Sequence, residues 1–579
     1  MTNSDVKIKD LAFNRETPKK LEESNFYNEW PVVYILNNSK QMYIGETYHA
    51  AERMKQHIKN PKRIQLTEAH IIASDDFTKS ATLDIESSLI ELCSAMPDSK
   101  RTLQNENNGI VKHYYANKEE FSQDSKFFSK LWKKLQDKGL VCGSIENLKN
   151  SDLFKYSPYK SLNAEQCTTR DYIVEDILDA FVKNENRTIF VNGGAGTGKT
   201  ILAIYLMKLL VTNADYLTED DESEMLPFIS DLKEINKIKG NLKIAYVVSM
   251  ASFRNTLKTV FGSIKGLKSS MVIGPSEVTK DHYDILLVDE AHRLKKRKNL
   301  SSPGEFSNFD KVNEKLGLKC DGEETDGNQL DWIINSSQIQ ILFYDEKQSV
   351  KPTDIDKKEF TKIRNEKYYH NLTSQMRCIG GIDYIKYIDD ILNQRIQEFR
   401  TIPKEYDFRL FENINDFCDA ILVKEKENEL CRIVAGYGFE WISKKGTKDK
   451  PNPRENEPDI VIEGREFFWN RKEKGWPTSI KGDRVVKEVG CIHTIQGYDL
   501  NYCGVIFGPE IVFKNGNIRI IKEKYYDAKG KSGINNENEL KQYILNIYEV
   551  LLSRGIKGTY VYVSDKNLRE YLKKFIPFE

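Results

Sequence analysis

The sequence predicts an α/β protein: a small α/β domain followed by two larger lobes, each built on a parallel sheet. Three observations carry this. Seven short runs (TIFVNG, KIAYVVSM, DILLVDEA, IQILFYDE, CRIVAG, YCGVIFG and GTYVYVS) recur over the last two thirds of the chain. They are nearly continuous in apolar residues rather than alternating, as strands covered on both faces are. Helical stretches separate them, so consecutive strands run parallel. The length of 579 residues exceeds what one core organises and, at roughly 100–200 residues per domain, gives three or four.

Residues 1–27 read as a polar tail. Residues 28–115 hold the small domain, with apolar pairs VVYIL and MYIG and then helical periodicity through ATLDIESSLIELC. A lysine-rich helical connector, with FFSKLWKKL as its amphipathic core, fills residues 116–155. The first lobe takes residues 156–370, with a surface insertion at about 293–330, and the second lobe residues 371–579. No apolar run has the roughly 20 residues of a membrane helix, so no membrane association is expected. Nine cysteines, scattered and without a C-x-x-C pair, predict reduced thiols in a cytoplasmic protein and no zinc site.

The clearest chemical signal is Gly193-Gly194-Ala195-Gly196-Thr197-Gly198-Lys199-Thr200, which fits G-x-x-x-x-G-K-[ST] between a predicted strand and a predicted helix. Glycines let successive N–H groups turn toward phosphate oxygens, and the following helix adds its positive end. Lys199 is placed for the β- and γ-phosphates and Thr200 for Mg²⁺. About ninety residues on, the strand DILLVDEAH delivers Asp289 to the same magnesium and Glu290 to the attacking water. The pair predicts an NTP hydrolase.

Five further stretches resemble superfamily-one helicases. In Leu162-Asn163-Ala164-Glu165-Gln166 the resemblance makes Gln166 an adenine reader, hence ATP. In Phe343-Tyr344-Asp345-Glu346-Lys347-Gln348 it makes Gln348 a γ-phosphate sensor. In Leu372-Thr373-Ser374-Gln375-Met376-Arg377 and Leu551-Leu552-Ser553-Arg554-Gly555 it makes Arg377 and Arg554 arginine fingers. The fifth, Gly490-Cys491-Ile492-His493-Thr494-Ile495-Gln496-Gly497-Tyr498-Asp499, together with CRIVAGYGFEW, is similar to the bacterial branch related to group-three Schlafen proteins. Over residues 156–579 the resemblance implies two RecA-like lobes that close on ATP.

Between Val32 and Asn107 lies a second set: Val32-Val33-Tyr34, Tyr43-Ile44-Gly45, Arg53, His57 and Glu86. A helix from about residue 50 would bring Arg53 and His57, at i and i+4, to one face. The set resembles the GIY-YIG endonucleases, with Val32 where that family has glycine. The resemblance implies Tyr43 as general base with Tyr34 in support, Arg53 on the scissile phosphate, and Glu86 on Mg²⁺ or Mn²⁺. It also implies a late asparagine, Asn105 or Asn107.

The implied protein is an ATP-dependent endonuclease–helicase that processes nucleic acid, DNA ahead of RNA, with defence against foreign DNA suggested by architecture alone. The competing expectation is an ATP-controlled sensor or scaffold whose first domain only binds. The 87 basic residues balance 87 acidic ones, which speaks against strong non-specific nucleic-acid binding without ATP. Basic residues nevertheless gather at 40–63, 293–298 and 514–531, and acidic ones at 219–224 and 321–326. The run at 293–298 reads first as a solvated face or a disordered loop and, being next to the strand that ends in Asp289, alternatively as a nucleic-acid contact.

Overall fold

The computed structural model describes residues 5–96, 102–105, 115–160, 162–212, 228–300, 302–346, 352–375, 378–396, 398–400, 402–444, 446, 451–471, 476–495, 498, 500–528, 530–531, 534 and 536–579. It divides into two compact units. One comprises residues 1–178, 201–241 and 256–269; the other comprises residues 179–200, 242–255 and 270–579.

The first unit holds a five-stranded sheet: β1 (Lys7–Ala12), β2 (Val32–Asn37), β3 (Gln41–Thr47), β4 (Glu68–Ala73) and β5 (Thr102–Leu103). Its order is β1-β4-β2-β3-β5, antiparallel except where β5 joins β3. The expected polar tail is therefore wrong in part. Residues 7–12 pair with all six residues of β4, and Leu21 of the helix Thr17–Glu22 is fully buried. The polar residues of KIKDLA line an exposed edge, which a hydropathy reading mistakes for tail. The expected connector is a set of short helices over residues 118–155 that packs back on this domain. Lys134 donates to the Val6 carbonyl, and Gln123 reaches Glu91.

The second unit holds the parallel sheets. The first comprises β6 (Arg187–Gly193), β7 (Ile244–Val248), β8 (Val272–Ile273), β9 (Tyr283–Asp289), β10 (Ser337–Tyr344) and β11 (Tyr369–Leu372), in the order β11-β6-β10-β9-β7-β8. The second comprises β12 (Asp407–Phe411), β13 (Cys431–Ala435), β14 (Ile460–Ile462), β15 (Arg465–Trp469), β16 (Glu488–Gly490) and β17 (Leu500–Phe507). A separate hairpin, β18 (Ile511–Lys514) with β19 (Asn517–Ile520), precedes its last strand, β20 (Gly555–Val563). The order is β12-β20-β17-β13-β16-β15-β14, parallel but for the β14–β15 pair. All seven predicted runs are strands. Those at the sheet centres, β10 and β17, are buried at every position, as two-sided coverage requires.

The insertion at 293–330 is folded rather than loose. Ser302 caps the helix Pro303–Leu316, Gly317 ends it in the left-handed region at φ 64°, and Phe309 packs 4.5 Å from Trp332. Its basic run is neutralised in place. Arg297 pairs with Asp310, Lys296 with Glu324 and Asp356, Lys298 with Glu324, Lys295 with Glu305 and Arg293 with Glu290. The run is thus no free nucleic-acid contact, because the acidic stretch 321–326 folds onto it. The other acidic stretch, 219–224, lies outside the described residues. Among the described residues no helix is long and apolar enough to cross a membrane, and all nine cysteines are free.

Candidate nucleotide site and N-terminal tyrosine cluster

The phosphate loop leaves the end of β6 and enters the helix Lys199–Val211. Gly196 and Gly198 sit at φ 83° and 79°, where a side chain is strained. A Cβ on Gly193 would lie 2.5 Å from the Thr197 hydroxyl oxygen. Lys199, 6% exposed, folds back to donate to the carbonyls of Gly193 and of Gly194 at 2.9 Å, with Asp345 3.8 Å away. These carbonyls occupy the ammonium.

Thr200 donates its hydroxyl to Asp289 Oδ2 at 2.9 Å, and the Tyr246 hydroxyl donates to the same oxygen at 2.8 Å. A hydroxyl and a carboxylate this close form a hard-oxygen set that fits Mg²⁺. Burial and the adjacent Glu290 push Asp289 above the usual carboxylate range. Glu290 goes the other way. Burial would raise it, but His292, Arg293 and Lys199 outweigh burial and keep it ionised. Its backbone lies in the left-handed region at φ 52°, and its carboxylate is 3.0 Å from His292 Nε2. A non-glycine residue held there, in a site that would bind a charged ligand, is a mark of function.

Gln375 donates to the Ala195 carbonyl at 2.7 Å, fastening the segment after β11 to the phosphate loop. Gln166 is fully buried at the start of the helix Ala164–Lys183. There its side chain accepts from the Asn163 N–H while Asn163 accepts from the Gln166 N–H, a reciprocal cap. Arg554 is buried between the helix Glu537–Leu552 and β20, within reach of the Tyr498 carbonyl. Gln348, Arg377 and Gln496 lie outside the described residues. Tyr246, Asp345, Gln375 and His292 had no role in the sequence reading. Asp345, Gln375 and His292 lie within or beside quoted motifs, but nothing local marks Tyr246, which reaches Asp289 only across the sheet.

In the first domain, β2, β3 and the helix Ala50–Lys59 bring Tyr34, Tyr43, Arg53 and His57 together. The Tyr34 hydroxyl lies 2.8 Å from His57 Nε2 and accepts from Arg53 Nε at 3.2 Å. Burial, then the charges of Arg53 and Arg63, lower His57 to a pKa of about 3. The imidazole is therefore neutral, and one hydrogen bond joins its Nε2 to the Tyr34 hydroxyl. Burial and the nearby Tyr43 raise Tyr34 well above an ordinary phenol, with the charge of Glu86 adding to the effect. Tyr34 thus keeps its proton. Gly45 faces Tyr34 across the strands, and a Cβ there would lie 2.2 Å from the hydroxyl, which accounts for glycine in Tyr-Ile-Gly. Val32 is buried in the core.

The Tyr43 ring lies 5.1 Å from that of His57 and carries the Arg63 guanidinium 3.8 Å above it. Arg63, which the sequence showed only as one more basic residue, is 8% exposed and donates to Gln104 at 2.7 Å. Asn105 grips both the N–H and the carbonyl of Ile44, fixing the strand that bears Tyr43; Asn107 lies outside the described residues. Glu86 is half-buried on the helix Lys79–Ser94. Among the described residues no group of three or more metal-ligating side chains occurs. Glu86 alone fits a divalent cation that takes its other ligands from water and phosphate.

Two parallel-sheet lobes with a phosphate loop, a threonine–aspartate pair and a following glutamate define a P-loop NTPase. The family profile "Schlafen group 3, DNA/RNA helicase domain" matches residues 186–565, and the chain belongs to that family. Its lobes are a helicase-type ATPase that acts on nucleic acid. An uncharacterized protein of Saccharomyces cerevisiae is 26% identical over 417 residues, or 66% of this chain and 83% of its own length. Among solved structures, Bacteroides Pif1 bound to ssDNA is 11% identical with a TM-score of 0.24, covering 69% of this chain and 92% of its own. Domain III of the Thermotoga maritima replication initiation protein DnaA is 13% identical with a TM-score of 0.18, covering 46% and 86%. Overlaps this weak fix neither fold nor function.

Proposed function

We propose that the chain joins a metal-dependent endonuclease of GIY-YIG type to an ATP-driven helicase or translocase, acting on DNA ahead of RNA. The observation that carries the nuclease half is the Arg53–Tyr34–His57 hydrogen-bonded chain beside Tyr43, built from three separate elements. Tyr34, holding its proton and tied to neutral His57, orients the cluster. Tyr43, acting as its phenolate, then takes the proton of the attacking water and becomes the phenol, and Arg53 binds the scissile phosphate. In the lobes, Lys199 turns from the Gly193 and Gly194 carbonyls to the β- and γ-phosphates, and Glu290 orients water. Gln166 reads adenine, Gln348 senses the γ-phosphate, and Arg377 and Arg554 meet the developing charge. A divalent cation, Mg²⁺ at Thr200–Asp289 and Mg²⁺ or Mn²⁺ at Glu86, supplies neutralisation of phosphate charge. A role in defence against foreign DNA belongs to this reading by architecture only.

A second reading, a domain that binds without cutting, draws on the complete burial of Tyr34 and on the lack, among the described residues, of any group of three metal-ligating side chains. Plasmid cleavage and ATP hydrolysis by wild type, Glu86→Ala and Lys199→Ala, with and without DNA or RNA, decide between them. Metal-dependent cleavage by wild type that is lost in Glu86→Ala is expected. A wild type that never cuts with Mg²⁺ or Mn²⁺ leaves only the binding domain. ATP hydrolysis indifferent to every nucleic acid favours a sensor or scaffold.

A further inference from the structure

Of the basic stretches visible in the sequence, the one at 514–531 keeps cations that make no ion pair among the described residues, Lys514, Arg519 and Lys524. Along the β18–β19 hairpin, Ile511, Phe513, Ile518 and Ile520 turn inward. Ile511 and Ile518 are buried, and Phe513 stacks on Tyr571 at 4.6 Å. The opposite face carries Val512, Lys514, Asn517 and Arg519, of which Lys514, Asn517 and Arg519 are exposed. Lys541, on the helix Glu537–Leu552, has its ammonium destabilised by burial and by the charge of Arg519. Among the described residues, none of Lys514, Arg519, Lys524 and Lys541 makes an ion pair; Glu523, in the same turn, pairs with none of them. Two cations kept close without an anion oppose folding.

Position points the same way. The hairpin leaves the C-terminal end of β17. Next to it is β13, whose connection runs to β14 at the far edge on one side, while that of β17 runs by way of the hairpin to β20 on the other. Ligands of open α/β sheets bind at such a divergence. Tyr526, 46% exposed, follows Lys524, and its N–H donates to the Tyr437 carbonyl in the loop after β13. An exposed aromatic ring two residues after Lys524, which makes no ion pair, suits a base attached to a phosphate.

We propose that the outer face of the β18–β19 hairpin, with Lys541 and Tyr526, binds the phosphodiester backbone of a single nucleic-acid strand. This rests on the nucleic-acid reading above. The test is anisotropy of a fluorescein-labelled 20-nucleotide DNA or RNA with the full chain, titrated from low to high KCl. Lys514→Gln/Arg519→Gln/Lys541→Gln is expected to bind about tenfold or more weakly at 0.1 M salt. Its log–log salt slope should fall by about 2, near 0.7 for each phosphate no longer neutralised. The Lys514→Arg/Lys541→Arg variant should retain wild-type affinity, and Lys296→Gln/Lys298→Gln, whose charges are already paired, should bind as wild type does. Lys514→Glu alone, at the hairpin tip, serves if the triple variant fails to fold, and is expected to weaken binding about threefold or more.

Equal affinity and slope in the hairpin variants and wild type overturn the proposal while leaving the helicase reading intact. Equal losses in the 296/298 variant overturn it as a generic charge effect, and equal competition by inorganic polyphosphate overturns it as mere polyanion binding. A wild type that binds neither DNA nor RNA overturns both readings.

Discussion

The two candidate sites are built in opposite ways. The nucleotide site is a contiguous loop whose ligands are mostly backbone groups, opened by glycines at φ 83° and 79° and closed by ions: Lys199, Asp289 and Glu290. The N-terminal cluster has no continuous stretch. Its groups come from β2, β3 and two helices, are largely buried, and meet through a hydrogen-bonded chain that runs from the Arg53 guanidinium through Tyr34 to a neutral His57. A loop of backbone donors tolerates change in its surroundings but not in its glycines or its lysine. A buried network of side chains depends on packing at every member, because a lost partner leaves a polar group unpaired in a poor solvent.

The largest expected effect is at the ionic site. Lys199→Ala should lower ATP turnover on the order of 10³-fold, read by phosphate release at saturating ATP. Turnover within tenfold of wild type would mean that backbone donors alone suffice, erasing the contrast. Next is Tyr34→Phe, which keeps the ring and removes the link between Arg53 and His57. Plasmid nicking should fall about 10²-fold, and full activity in this variant would reduce the network to scaffolding.

The smallest effect is a pH dependence of stability. His57 is neutral in the fold, with a pKa near 3, against 6.5 unfolded. A lowered histidine pKa means that the unfolded chain takes up protons first, so stability is complete above pH 6.5 and falls as pH drops toward 3. At pH 5 the loss relative to pH 7.5 is about 2 kcal/mol. It should show as a downward shift of the lowest unfolding transition of the full chain, smaller in His57→Gln. The same shift in both proteins would assign the pH dependence to other groups.

The two basic stretches repeat the lesson at the surface. The runs at 293–298 and 514–531 look alike in sequence. The first is ion-paired throughout by Asp310, Glu305, Glu324, Asp356 and Glu290; among the described residues the second leaves Lys514, Arg519 and Lys524 without an ion pair. Zero net charge therefore includes a local cancellation in the insertion and says little about the hairpin.

The sequence by itself determined the parallel-sheet strands, the phosphate loop and the Asp289–Glu290 pair, because each is specified by residues adjacent in the chain: continuous apolar runs, glycines at fixed spacing, and carboxylates at a strand end. The resemblance to the GIY-YIG endonucleases grouped Tyr34, Tyr43, Arg53, His57 and Glu86, while spacing alone set only Arg53 and His57 on one helix face. Only the tertiary structure decided what lies across the chain. It set Tyr246 on Asp289, Gln375 on the phosphate loop and Arg63 on the Tyr43 ring. It also pulled residues 7–12 into an edge strand and gave the acidic stretch at 321–326 to the basic run before it. Such contacts join residues tens to hundreds of positions apart, and their energies depend on burial and distance, which no local pattern of residue types encodes.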